Sequence, residues 1–106
     1  MLIYKIRLPQ RQDPEAFVTF MREEYFPAVH RGSIRVGRVT ALALLQGTTT
    51  GTTHEFLWHI GGIDLSSGVP PVDNDEVQHK FDSFGVSVNR LGSYVEVAAW
   101  HETNRA

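Results

Sequence analysis

The hydrophobic pattern of this chain predicts an α+β domain with the order β-α-β-β-α-β. Three observations carry that prediction. Apolar and polar residues alternate over Leu2 to Leu8. Apolar residues recur at helical spacing over Ala16 to Val29 and again over Asp75 to Phe84. Strand-like runs fill Val39 to Gln46, His54 to Ile63 and Tyr94 to His101. In 106 residues that order is the split-βαβ, or ferredoxin-like, plan: a four-stranded antiparallel sheet with two helices on one face. The length suits one domain over residues 1–106.

Each element has a local cause. The first strand alternates Leu2, Tyr4, Ile6 and Leu8 with Ile3, Lys5 and Arg7, and Pro9 ends it. Asp13-Pro14-Glu15 reads as a helix start: a capping carboxylate, a proline suited to the first turn, and an acid at the positive end of the dipole. Phe17, Phe20, Met21 and Tyr25 follow at helical spacing. Pro27 is expected to kink this helix or end its regular part near Phe26, with Gly32 as the stop. The second strand is apolar on both faces, Val39, Ala41, Ala43 and Leu45 against Leu42 and Leu44. Such a strand is covered on both sides. Two helices cover one face of the sheet, so a second copy of the chain is the simplest cover for the other.

Gly47 to Thr53 reads as a hairpin turn, and Asp64 to Asn74, rich in Ser, Gly and Pro, as an exposed loop. Asp73 or Asn74 caps the second helix, which buries Val77, Phe81 and Phe84. Val86 to Leu91 has no clear pattern, and the last strand is placed at Tyr94 to His101.

The plan's usual sheet order sets strands one and three in the centre, four beside one and two beside three. Sorted by parity, Leu2, Tyr4, Ile6, Leu8, Phe56, Trp58 and Ile60 share the core face, together with Val95, Val97 and Ala99. Ile3, Lys5, Arg7, Glu55, Leu57 and His59, with Glu96 and Trp100, fall on the other. Two readings of those charges stay open. One is a half-solvated surface with cross-strand ion pairs, each worth about 0–1 kcal/mol. The other is a partly buried polar cluster at a dimer interface or in a cavity.

Composition narrows the function classes. Apolar residues make 42% and charged residues 21%, with net charge −2 and no basic cluster, so no nucleic-acid partner is expected. Without cysteine there are no disulfides, thiolate nucleophiles or Cys-based metal sites. No apolar run is long enough for a signal core or a membrane span, which gives the expectation of a cytoplasmic protein with no membrane partner.

The chemistry-bearing residues are sparse. Of His30, His54, His59, His79 and His101, no two have the i, i+4 spacing of a helical metal site, so no metal is expected. His59, beside Glu55 or a cation, has the titration range of a general base, and Tyr4 offers a hydroxyl to a developing oxyanion. His79 lies mid-way along the second helix and reads as solvent-facing unless it has a role in catalysis. Trp58 reads first as a core residue. No phosphate loop, nucleophile elbow or spaced carboxylate pair is present.

The short first strand, the long first helix with Glu23-Glu24-Tyr25-Phe26-Pro27-Ala28-Val29-His30, and the long strands Arg38–Gln46 and His54–Ile63 go together. Over nearly its full length the chain resembles the dimeric α+β barrel superfamily. That group includes antibiotic-biosynthesis monooxygenases, muconolactone isomerase-like enzymes, polyketide cyclase-like proteins, haem-degrading monooxygenases and stress-responsive barrel proteins. The resemblance implies a homodimer whose two sheets pack into a barrel with the helices outside. It also implies a pocket between helices and sheet, walled here by Tyr4, Trp58, His79 and the residues around Tyr25 and His30. Haem-degrading members carry an Asn on the first strand, a Trp late in the third and a His on the second helix. Here Arg7 stands near the place of the Asn, Trp58 comes early, and only His79 corresponds.

Three functions follow as expectations. The first is a small enzyme, a cofactor-independent monooxygenase, isomerase or cyclase acting on an apolar or aromatic molecule. His59, His79 or Tyr4 would move protons, and Trp58, Tyr25, His30 and Arg7 would hold the ligand. The second is a non-catalytic ligand-binding or oligomerisation module. The third is a haem-binding protein with His79 or His30 as axial ligand; the first two need no cofactor.

Overall fold

The computed structural model describes residues 1–35, 39–62 and 72–102. Ile63, Arg38, the predicted loop over 64–71 and the tail 103–106 lie outside the described residues. The strands are β1 (Leu2–Arg7), β2 (Val39–Gln46), β3 (Glu55–Gly62) and β4 (Ser87–Ser93). The helices are α1 (Pro14–Phe20), α2 (Phe26–Gly32) and α3 (Asp75–Ser83). A wide π turn, Met21–Tyr25, joins α1 to α2 in one continuous helical run, so the order is β-α-β-β-α-β. The four strands form one antiparallel sheet in the order β2-β3-β1-β4, the predicted neighbours.

Register fixes the faces. Tyr4 sits opposite Trp58, Ile6 opposite Phe56 and Leu2 opposite Ile60, and all six are buried. The helical run lays Phe17, Phe20, Met21, Tyr25 and Val29 on that inner face, and α3 adds Phe81. Phe17 packs on Phe56 at 5.2 Å between ring centres and on Phe84 at 5.2 Å. Such aromatic contacts help hold the helices to the sheet.

The caps follow the sequence. Asp13 accepts from Glu15 N at 3.1 Å at the start of α1. Asn74, not Asp73, caps α3, accepting from Glu76 N at 2.9 Å and Val77 N at 3.3 Å. Asp73 instead takes Arg31 Nε at 2.6 Å, tying the end of α2 to the segment before α3. Ser33 is fully buried; its hydroxyl donates to His30 O at 2.6 Å and accepts from Val39 N at 3.1 Å, stitching the helical run to β2.

Two elements differ from the sequence reading. The irregularity expected of Pro27 is present but lies before Phe26, and the helix runs on to the expected stop at Gly32. The chain widens over Met21–Tyr25, where Phe26 N–H donates to Met21 O five residues back, and the helix resumes through Pro27. The proline, lacking an N–H, would leave the carbonyl of Glu23 unpaired in regular α geometry, and the wide turn absorbs that misfit. The last strand is Ser87–Ser93, not Tyr94–His101. Gly85, with φ of 69°, turns the chain sharply after α3 and delivers Ser87 opposite Arg7. β1 is then used up by the time the chain reaches Ser93 opposite Leu2. Val95 and Val97, expected in the core, are 81% and 90% exposed. Among the described residues no helix is long and apolar enough to cross a membrane.

Candidate functional site

The sheet divides the sequence-predicted site residues between its two faces. Tyr4, Tyr25 and Trp58 meet on the inner face. Trp58 lies 5.7 Å from Tyr4, 5.6 Å edge-on from Tyr25 and 6.4 Å from Phe26 in near-parallel stacking, measured between ring centres. Phe81 stacks on Tyr25 at 4.4 Å. Trp58 is 1% exposed, and its Nε1–H has no hydrogen-bond partner among the described residues. A buried donor without a partner costs about 1–3 kcal/mol.

Burial, with the Asp82 carboxylate second, pushes the Tyr25 hydroxyl from 10.0 up to about 12. The folded protein therefore holds this proton more tightly than the unfolded chain does. Its stabilising effect is complete below about pH 10 and is lost as pH rises through about 12. At about 1.4 kcal/mol per pKa unit, the full loss is about 2–3 kcal/mol. Denaturant melts at about pH 9 and about pH 12 should show that difference, and Tyr25→Phe should remove this part of the slope. The same slope in both proteins would contradict the assignment.

Arg7 and His59 stand on the opposite, outer face. Three rows cross it. Arg7 pairs with Glu55, their charged groups 3.8 Å apart and well exposed. Such a pair is worth about 0–1 kcal/mol. Lys5 pairs with Leu57, which pairs with Leu45 on β2. His59, half-buried, lies between Ile3 and Ala43. Above the middle row a groove of about 530 Å³ runs along Leu45, Leu57 and Leu91, with Lys5 and Glu55 as its charged groups and Thr48, Thr49 and Thr52 at one end. The hairpin turn closes that end tightly. Thr52 N donates to Thr49 O at 3.0 Å, and a side chain at Gly47 would run into the Thr52 carbonyl.

The remaining two predicted residues stand apart from both places. His30 is exposed near the end of α2, with its carbonyl held by Ser33, and His79 is exposed on α3. Neither belongs to the aromatic interior or lines the groove. Among the described residues no three His, Asp or Glu side chains gather as a metal site.

Sequence reading missed the groove. Lys5, Glu55 and Leu57 were visible on one face by parity, but Leu91 belongs to a segment without a clear pattern. Its placement depends on an irregularity in the β1–β4 register between Ile3 and Tyr4. No family model, curated protein or solved structure matches this chain.

Proposed function

We propose that this chain works as a homodimeric small-molecule binding module, two sheets packing through their outer faces as in a dimeric α+β barrel. The groove over Leu45, Leu57 and Leu91 carries this reading. It is apolar, wide enough for a small ligand, and lies on the one face the chain's own helices do not cover. Leu45 and Leu91 are half-exposed in one protomer, and Ala41 and Ala43 beside them are exposed too. An apolar surface of this kind is a site of association. A partner sheet would turn the groove into a chamber, with Lys5 and Glu55 as the polar groups that orient an apolar guest.

The test has two parts. Sedimentation at micromolar concentration should give twice the 11.9 kDa of the chain. The dimer should take up 1-anilinonaphthalene-8-sulfonate saturably, and Lys5→Gln should weaken that uptake severalfold. A monomer overturns the reading; a dimer with unsaturable uptake, or uptake indifferent to Lys5, overturns its ligand half.

A second reading, the small enzyme with its pocket between helices and sheet, draws on the indole N–H of Trp58, which has no acceptor among the described residues. A carbonyl or hydroxyl oxygen of a substrate placed there would satisfy it, beside Tyr4 as proton donor. The alternative proton carriers lie apart in one protomer: Tyr4 is inside, His59 on the outer face and His79 on the surface of α3. Binding in the groove is therefore the reading the geometry favours.

A further inference from the structure

We infer that the groove over Leu45, Leu57 and Leu91 takes an apolar monocarboxylate, its anionic end held by Lys5; this rests on the small-molecule binding reading above and names the ligand class. The outer face is short of one negative charge. Its strand residues include two cations, Lys5 and Arg7, and one carboxylate, Glu55. His59, the other titratable group there, supplies no anion. Glu55 is engaged by Arg7, whose Nε stands 3.8 Å from Glu55 Oε1. Lys5 lies half-buried on a central strand, with Leu57 and Asn89 as its cross-strand neighbours. Its ammonium makes no ion pair among the described residues.

Closing the groove under a second sheet takes that ammonium out of water, and a covered charge needs a counter-charge. A two-fold copy repeats the same excess of one cation per face, so the dimer by itself does not supply the missing anion. A guest with one negative charge does. The shape agrees with the charge. Lys5, Leu57 and Leu45 lie in one row across β1, β3 and β2, so the cation stands at one end of an apolar track. That track spans two strand spacings, about 10 Å, close to the length of an extended octanoate. A phosphate group is commonly met by arginine forks or by the N–H groups of a helix start. The residues lining this groove belong to strands and the hairpin turn, and Lys5 is their one cation. A point charge of that kind suits a single carboxylate.

Three probes of one length and different charge test this: octanoate, 1-octanol and octylammonium, each titrated into the full chain by calorimetry. Octanoate should bind saturably and at least tenfold more tightly than octanol, with octylammonium the weakest. Lys5→Gln should bring octanoate down to the level of octanol and leave octanol unchanged. Lys5→Glu should reverse the order, so that octylammonium binds more tightly than octanoate. Equal binding of octanoate and octanol to the unaltered chain overturns the carboxylate assignment and leaves a binding groove standing. Preference for octylammonium overturns it too, and makes Glu55 the group that selects the guest. Loss of octanol together with octanoate in Lys5→Gln makes Lys5 a structural residue and overturns its role. Binding of none of the three overturns this assignment and the ligand-binding reading together.

Discussion

Trp58→Ala is expected to destabilise the protein by about 3–5 kcal/mol, the range for removing a large buried aromatic. Trp58 sits at the centre of the inner face, and Tyr4, Tyr25 and Phe26 all rest on its ring system. Truncation would strip the facing surface from three neighbours at once. The backbone beneath is held by β1 on one side and β2 on the other, so the site has little freedom to collapse. The measurement is a denaturant melt at fixed protomer concentration, since association would shift the midpoint. Trp58→Phe separates two contributions. It keeps an aromatic ring against Tyr4 and Tyr25 and removes an N–H that has no acceptor among the described residues, so the loss should be less than half that of the alanine variant. A loss below about 1 kcal/mol for Trp58→Ala would show that this is not the core face.

Leu57→Lys should leave the protomer folded and separate the dimer. In a single chain Leu57 is 36% exposed and points away from the helices, so a lysine there can extend its ammonium into water. The protomer's own stability should change by no more than about 1 kcal/mol. In the proposed dimer the same position is covered by the partner sheet and lies against Lys5, its cross-strand neighbour. Lysine is chosen over aspartate for that reason, because a carboxylate at 57 would find Lys5 as a partner. An uncompensated buried charge costs about 3–5 kcal/mol, and the two-fold places two of them in one interface. Dimerisation should weaken by at least about a hundredfold, at 1.4 kcal/mol per tenfold. Sedimentation across a micromolar dilution series reads this directly, and a dimer as tight as the unaltered one would place the interface elsewhere.

Much of the structure was legible because strand alternation is local. The period of two put Tyr4, Trp58 and Phe56 on one face and Lys5, Leu57 and His59 on the other, and the register agrees pair by pair. The Asp13-Pro14 helix start was readable because a cap is a matter of three adjacent residues. Other features were not readable because they depend on partners distant in sequence. Ser33 gives no sign in its own neighbourhood that its hydroxyl will hold Val39 N–H across the start of β2. The groove needs Leu45, Leu57 and Leu91 from three strands, one of them set by a register irregularity.

The sequence by itself determined the order of elements and, on β1 and β3, which side chains go inward, since both follow from periodicity and from what an apolar side chain does in water. Only the tertiary structure decided where the last strand begins. Residues 94–101 have the stronger strand pattern, but Gly85 brings Ser87, not Tyr94, against Arg7, and β1 has room for one partner of its own length. Pairing outweighs propensity there because a strand is stabilised by the ladder it joins, and the ladder is filled from the turn outward.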